Sequence, residues 1–489
     1  MDLQSTINPE PFDSVFPDSN APENPFVKDN TWLQALEFRK GFKLGDEQLE
    51  ILNKIADTIN KNIKNKCFTE PISLEGSAGT GKSLTTSFIL DWAVNRGLPV
   101  TLCAPTHKAA LVLKKYNKYD AITIHSLLAL SPKLDILKLD IRELKFFSNN
   151  DKLSIPFDGL VICDEASMVS SDLYDLLVEK CSLMSTLILF VSDYAQLNPV
   201  KESKPSKVFT CKNRFRLTKI YRQSEKSGLK DILQTLRSRV ISKWDSCLGE
   251  DGSLYIEKDL KNFCLEATKT YKEGLDKNDI LHTKILAYTN SRVNSYNQAI
   301  HKFLFNNDNF INKGELLMAY ENYDSGTDKI YNSMDYIVQD VKDTIVKIPY
   351  YKEVKGYNVT IYDEYAGQCH NLDIIDPEEC NSALANTLEN LRVAAIKAKG
   401  FQRTLAWRKY YNFIGSFCTT KSLFVEDRCV RVATFKYGYA TTVHRSQGSS
   451  YDSVYIDMKN LYIAKDIPTL RQLQYVGLSR TRSDVTLLL

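Results

Sequence analysis

The eight residues Gly76-Ser77-Ala78-Gly79-Thr80-Gly81-Lys82-Ser83 constrain this chain more than any other stretch. They stand between a short apolar run ending near Glu75 and an amphipathic segment beginning near Leu84, and they fill every position of the phosphate-loop pattern in its strand–loop–helix setting. The glycines let the backbone wrap closely around phosphate oxygens, the loop N–H groups and the helix start face the anion, Lys82 neutralises charge, and the Ser83 hydroxyl suits Mg²⁺. A glycine-rich turn with no ligand is the competing reading. The complete match decides against it, so the chain is expected to bind a nucleoside triphosphate, with ATP and Mg²⁺ as cofactors.

A loop of this kind belongs at the end of a parallel strand, and the surrounding texture agrees. From about Trp32 onward, short apolar runs alternate with amphipathic segments, which predicts an open α/β sheet. Core strands are expected over 71–75, 99–103, 159–163 and 186–191, then over 284–288, 453–457 and 485–489, so they fall into two groups divided near residue 212. The third of these runs into Asp164-Glu165-Ala166-Ser167, which puts two carboxylates at a strand's C-terminal end, where open α/β sheets hold ligands. An Asp-Glu pair there is by itself more often a helix cap. Beside a phosphate loop, Asp164 is expected to hold Mg²⁺ and Glu165 to orient the attacking water.

Between about 305 and 425 the pattern differs. A hairpin is expected from 344–348 and 358–362 around Gly356, and residues 378–412 look helical, as an inserted domain would. Residues 1–31 form an acidic arm expected to be disordered: its first 30 residues hold five prolines and six acids against one lysine. The 489 residues allow two to four domains. With 63 Lys+Arg against 60 Asp+Glu, affinity for a polyanion must come from a local groove. Eleven cysteines without a CxxC pair argue against a disulfide framework or zinc ribbon and point to a reducing intracellular compartment. No run approaches the roughly 18 apolar residues of a membrane span, and the N-terminus lacks the features of an export signal. Tyr296, Ile300 and Phe303 recur at helical spacing and read as core, and the Trp407, Tyr410, Tyr411 cluster reads as packing within the insert.

Further motifs extend the argument. Ala104-Pro105-Thr106-His107-Lys108-Ala109-Ala110 precedes Asp164, and Asp193-Tyr194-Ala195-Gln196-Leu197-Asn198-Pro199-Val200 follows it. Leu44-Gly45-Asp46-Glu47-Gln48 comes before the phosphate loop, and Leu217-Thr218-Lys219-Ile220-Tyr221-Arg222-Gln223 comes later. Thr442-Val443-His444-Arg445-Ser446-Gln447-Gly448 and 474–482, containing Arg480, close the chain. In this order, over about residues 44–489, the chain resembles superfamily 1 helicases, most closely the 5′-to-3′, RecD-like, Dda-type subgroup. It departs from the common pattern only at Ser192 and Gly477, where Gly and Ala are usual.

The resemblance implies two RecA-like parallel-sheet domains. Domain 1A covers 32–212 and carries a pin domain 1B at about 130–158; domain 2A is built from 213–304 and 426–489; domain 2B, an SH3-like β-barrel with an extension, covers 305–425. It implies that Gln48 reads the adenine, Tyr221 stacks on it, Gln196 senses the γ-phosphate, Arg222 and Arg480 contact that phosphate, and Gly448 borders the site. It also implies a single-strand groove lined by Pro105, Thr106, His107, Thr123, His125, Thr289, Asn290, Thr442 and His444. For Thr123 and Ser126, helix capping is an open alternative. Phe146 and Phe147, expected just before a polar hairpin tip at 148–151, are candidates for a strand-separating wedge or for packing of the insertion. The implied partners are single-stranded and forked DNA and a single-strand-binding or replication protein. The chain is expected to act as a monomer, in the cytoplasm of a bacterium or of a phage-infected cell. A translocase that remodels protein–DNA complexes without unwinding, an RNA-directed relative, and a nucleotide-dependent DNA-binding scaffold are the alternatives.

Overall fold

The computed structural model describes residues 41, 43–133, 145–148, 152–200, 202–221, 228–250, 252–277, 279, 282–307 and 309–489, the side chains of 131–133 and 145–148 excepted. The acidic arm expected over 1–31 lies outside these residues.

In the first half, six parallel strands lie in the order Ala121–Thr123, Val100–Ala104, Leu160–Cys163, Leu187–Ser192, Ile72–Gly76 and Asn213–Leu217. Helices cover both faces, so central strands such as Leu160-Val161-Ile162-Cys163 are buried throughout and read as continuous apolar runs. Cys163 is a fully buried member of this core, and all eleven cysteines carry free thiols. The last strand corrects the expected boundary at 212. Asn213–Leu217 pairs with Ile72–Gly76 residue for residue, so the first half extends at least to Leu217. Its alternating burial hides it from a search for apolar runs. What holds it is charge: buried Glu75 accepts from Arg214 Nε at 2.6 Å and from Arg216 Nη2 at 2.8 Å.

The second half is a five-stranded parallel sheet in the order Ala440–Thr442, Thr283–Ala287, Tyr451–Asp457, Thr481–Leu488 and Leu254–Glu257. Its core includes Ala195 and Leu197, which the first half contributes across the junction. Tyr296 and Ile300 are buried as expected, whereas Phe303 is 39% exposed, one step off the apolar face of its helix. Between the halves lies a five-stranded antiparallel sheet in the order Gln368–Ile375, Glu353–Asp363, Asp335–Lys347, Leu316–Ala319 and Phe435–Tyr437, packed beside the helices Ser382–Lys397 and Gly400–Ile414. The insert therefore reclaims residues beyond 425, through Tyr437. The expected hairpin exists, but its turn lies within 348–352, and Gly356 sits inside a strand opposite Thr344. A Cβ there would collide with the Ile374 carbonyl, so glycine serves close strand approach and not a turn. Trp407, Tyr410 and Tyr411 form one ring cluster within the insert.

The small insertion of the first half also differs from expectation. Leu130–Lys133 pairs antiparallel with Lys145–Ser148, setting Pro132 opposite Phe146 and Ser131 opposite Phe147. The two phenylalanines are on the returning strand of a hairpin whose connection, 134–144, lies outside the described residues. Leu153 and Ile155, which follow the tip expected at 148–151, pack on the core of the first half.

One buried carboxylate joins all three bodies. Asp335, at the start of the long inserted strand, accepts from Lys108 of the first half at 3.1 Å and from Lys284 of the second half at 3.1 Å, with all three side chains at most 2% exposed. Burial alone works against ionisation of Asp335, but the two ammonium groups outweigh it and hold the carboxyl below its ordinary range. Stability from this group is therefore complete above the ordinary carboxylate range and is lost as pH falls through the depressed value. Asp335→Asn leaves two buried cations uncompensated and is expected to cost about 3–5 kcal/mol, read as a lowered urea midpoint. A midpoint equal to the parent's would show that the lysines find other partners.

Candidate active site

The phosphate loop follows the buried strand Ile72–Gly76, and the helix Lys82–Asn95 starts directly after Gly81. Gly81 has φ +82°, and a Cβ on it would overlap the Gln48 amide, so only glycine brings the loop and the Gln48 helix this close. The Lys82 ammonium donates to the carbonyls of Gly76 at 2.7 Å and Ser77 at 3.1 Å. It is thus held inside the loop's curve, where an anion would collect it.

Asp164 and Glu165 emerge from Leu160–Cys163 as expected. Glu165 adopts a left-handed backbone, φ +51°, a strained conformation for a side-chain-bearing residue and one common at functional positions. Burial pushes the Asp164 carboxyl up to about 6, and the neighbouring Glu165 charge adds to the rise, while the Glu165 amide and Lys82 oppose it. Two crowded carboxylates beside a serine hydroxyl make an oxygen donor set suited to a hard divalent cation, whose charge would relieve the repulsion.

Gln48 and Tyr221 are assembled by a chain of local bonds. The Glu47 carboxylate accepts from the Thr218 amide and from the Lys219 amide, each at 2.9 Å. Burial raises the Glu47 pKa, but the Thr218 hydroxyl and these two amide bonds together more than offset it and hold the carboxyl below its ordinary range. The segment so fixed delivers Tyr221, whose amide donates to the Gly79 carbonyl at 2.7 Å and whose ring lies against Gly45. Gln48 accepts from the Gly45 amide at 3.0 Å and donates to the Thr80 carbonyl at 3.2 Å. A planar base has Tyr221 and the Gln48 amide on hand at one end of the cleft. Arg222 lies outside the described residues.

The cleft encloses about 550 Å³, and residues of both halves line it: Gln48, Lys82, Ser83, Asp164, Glu165, Gln196 and Tyr221 from the first, Gly448 and Arg480 from the second. Arg480 is buried and donates to the Val476 carbonyl at 3.1 Å, the Ser449 carbonyl at 3.2 Å and the Ser479 hydroxyl at 2.9 Å. Among the described residues no carboxylate pairs with it, so this buried cation is balanced only by neutral acceptors. Gln196 meets Gln447 of the second half at 3.4 Å and Ser167 at 3.5 Å.

A residue that motif reading passed over is Tyr475. Its hydroxyl donates to Asp193 at 2.8 Å and accepts from the Ala78 amide of the phosphate loop at 3.0 Å. One side chain of the second half thus touches two nucleotide-site elements of the first. It stood inside a quoted motif, but its role depends on cross-domain geometry that spacing does not reveal.

The expected strand-contacting residues occupy loop and helix starts along both halves. Thr106, Thr123 and Thr289 each cap a helix, accepting from the amides of Ala109 at 3.2 Å, Ser126 at 3.1 Å and Arg292 at 3.3 Å, and Thr442 accepts from the Arg445 amide at 3.3 Å. Capping, the alternative considered for Thr123 and Ser126, is therefore realised, and Thr123 also meets the Ser126 hydroxyl at 2.9 Å. Asn290 begins the helix that Thr289 caps, and Pro105 lies just before Thr106. The His107 ring stacks on Tyr331 of the insert, centroids 4.3 Å apart, and His444 lies 6.0 Å from Tyr288. Burial lowers the pKa of His107, His125 and His444, and for His107 the charge of His125 contributes as well. These imidazoles are biased toward the neutral form.

Comparison with known proteins agrees with this geometry. Residues 66–248 match a family described as an AAA domain, and residues 437–488 match the UvrD-like helicase C-terminal domain. The ATP-dependent DNA helicase Dda of Enterobacteria phage T4 is 26% identical over 473 residues, covering 90% of this chain and 99% of its own. The ATP-dependent RecD2 DNA helicase of Deinococcus radiodurans is 32% identical over 204 residues, 40% of this chain and 24% of that protein. A Pif1 helicase, solved in work on unwinding of forked duplex DNA by two coordinating Pif1 helicases, shares the fold at TM-score 0.51 with 18% identity, covering 91% of this chain and 92% of its own.

Tyr475→Phe removes a hydrogen bond to a charged group, and with it the tie between Asp193 and the phosphate loop. Turnover of ATP at saturating single-stranded DNA is expected to fall about tenfold to a hundredfold, from roughly 1.5–3 kcal/mol, with KM for ATP changed far less. Parent-like turnover in steady-state assays would remove the tyrosine from the coupling path. Two matching domains, motifs in order from residue 44 to the C-terminal strand and a near full-length relative make the chain similar to the superfamily 1 DNA helicases, with Dda and RecD2 among its relatives.

Proposed function

We propose that this protein is an ATP-dependent DNA helicase that moves 5′ to 3′ along single-stranded DNA and unwinds duplex ahead of it. The observation that carries the reading is the divided cleft: the phosphate loop and acidic pair stand on one sheet, and the buried, carboxylate-free Arg480 stands on the other. ATP would be fully contacted only with both halves in place, so hydrolysis and domain movement become one cycle. Lys82 and the loop amides hold the β- and γ-phosphates, Glu165 orients the attacking water, and Arg222 and Arg480 stabilise charge developing on the γ-phosphate. Ser83 and Asp164 would hold Mg²⁺, which supplies charge neutralisation at the phosphates. Gln48 and Tyr221 bind the base, and Gln196, in contact with Gln447, reports the γ-phosphate to the second half.

The track is formed by Pro105, Thr106, His107, Thr123 and His125 on one side and by Thr289, Asn290, Thr442 and His444 on the other, groups that recognise backbone and stacked bases without regard to sequence. The inserted sheet corresponds to an SH3-like domain 2B, and the hairpin of Leu130–Lys133 and Lys145–Ser148 to a pin-bearing 1B. Within it, Phe146 or Phe147 acts as the wedge, since stacking on one base, about 1–3 kcal/mol, matches the roughly 1.4 kcal/mol needed to open one duplex step.

Lys82→Ala is expected to abolish ATP hydrolysis while leaving single-strand affinity within several-fold. Arg222→Ala and Arg480→Ala should still bind ATP yet hydrolyse it at least about a hundredfold more slowly. Near-parent hydrolysis in any of these variants would show that its role is misplaced. Forked duplexes with a 5′ or a 3′ single-stranded tail test the motor itself. Unwinding should require the 5′ tail, and ATP hydrolysis stimulated by single strands with no unwinding would favour a translocase instead.

Phe146→Ala or Phe147→Ala is expected to retain DNA-stimulated ATPase but to unwind at least about fivefold more slowly, roughly 1 kcal/mol in a barrier. Parent-rate unwinding in both variants, or joint loss of ATPase and thermal stability, would assign the rings to packing.

A further inference from the structure

A second cavity is larger than the nucleotide cleft. It encloses about 890 Å³ between the helix Asn290–Phe305 of the second half and the insert, at the segment 420–424 and the edge strand Phe435–Tyr437. Among the described residues its lining contains no Asp or Glu and three lysines, Lys302, Lys421 and Lys436, with several amides and the half-exposed ring of Phe424. Glu315, which bonds the lining residue His301, is fully buried and also accepts from Tyr439. Among the described residues, the side chains of Asn294, Gln298, Lys302 and Lys421 form no hydrogen bond or ion pair, so their donors face the cavity unsatisfied by protein. A small apolar ligand is a poor match for such a surface. A chain that alternates anionic and flat aromatic groups is a good one.

The cavity is continuous with the track. Asn294 stands about one turn along the helix whose start carries Thr289 and Asn290. Lys436 lies over the Tyr320 ring at 4.8 Å, and Arg445, next to His444, lies over the same ring at 4.0 Å. A line of cations thus leads from His444 past Tyr320 into the cavity. Burial and the Arg445 charge lower the Lys436 pKa, a repulsion that a phosphate between them would reverse.

We propose that this cavity is an extension of the single-strand path on the side of the second half, in which Lys302, Lys421 and Lys436 receive DNA phosphates and Phe424 stacks on a base. The inference rests on the helicase reading and enlarges the DNA footprint from the track to the insert.

Binding of the full chain to oligothymidylates of about 8 and about 16 nucleotides, followed by fluorescence anisotropy at several salt concentrations, tests it. The substitutions are Lys302→Ala with Lys421→Ala, two exposed side chains outside the catalytic and track residues, and separately Phe424→Ala. Expected are affinities for the short strand within about twofold of the parent, a loss of about fivefold to tenfold on the long strand, and, for the lysine pair, a salt slope reduced by roughly 1.4, about 0.7 for each phosphate that the protein no longer neutralises. Parent affinity and slope on the long strand would overturn the proposal, as would equal losses on both lengths. Failure of the parent protein to bind even the short strand would instead overturn the helicase reading, so the two failures are distinguishable.

Discussion

One buried carboxylate ties together all three parts of the molecule. Asp335 takes an ammonium from each parallel-sheet half, although it belongs to neither. Two cations and one anion in a dry junction leave a formal excess of positive charge, which the Gly438 carbonyl eases by accepting from Lys284. The arrangement cannot be loosened a little: if either half withdraws, a charge is left buried without its partner, at a cost of several kcal/mol. The inserted domain is thereby tied to Lys108, one residue beyond His107, and to the strand that leads to Thr289. The halves thus meet at this junction as well as across the nucleotide cleft.

The cleft is built accordingly. Its two halves are joined by hydrogen bonds, through Tyr475 on Asp193 and the phosphate loop, and through Gln447 on Gln196. These are hydrogen bonds and not packing contacts, so they can exchange partners at little cost when phosphate oxygens arrive. Arg480 has the complementary property. Held by two carbonyls and a hydroxyl, it is satisfied geometrically but not neutralised, and an anion offers what its present partners lack. A salt bridge at that position would have had to be broken on each cycle.

How much of this was legible beforehand depended on what kind of information each feature carries. The phosphate loop, Asp164 and Glu165 are local: strand, turn and helix follow one another in the chain, and the residues land where their spacing put them. The central strands were legible because burial on both faces makes them uniformly apolar. The strand Asn213–Leu217 was not, since its Arg214 and Arg216 serve buried Glu75 139 and 141 positions away. The inserted sheet was bounded too tightly for a related reason: Phe435–Tyr437 is three residues long and recognisable only by its partner Leu316–Ala319. Gly356 misled because glycine marks both turns and close strand approach. Lys108–Asp335–Lys284 and Tyr475 were out of reach altogether, because the first needs three domains to meet and the second needs two.

The track shows that a structural and a functional reading need not compete. A threonine that caps a helix accepts a backbone N–H with one lone pair, and its own O–H keeps the capacity to donate. Thr106 is in this state at the start of an 11-residue helix, and Thr442 accepts from a backbone amide in the same manner. Thr289 caps a helix of 16 residues while its hydroxyl also meets the Asn460 side-chain amide, Nδ2 at 3.2 Å and Oδ1 at 3.4 Å, the latter a long bond that a phosphate oxygen could replace. Each hydroxyl is therefore oriented by the fold and still able to meet a phosphate, beside helix termini whose dipoles favour an anion. The histidines between them are biased toward the neutral ring, which offers a flat face and one N–H without the strong, stationary attraction of a full charge. Such contacts are individually weak and indifferent to base identity. On the proposed track, many such contacts would let a strand move more readily than a few tight ion pairs.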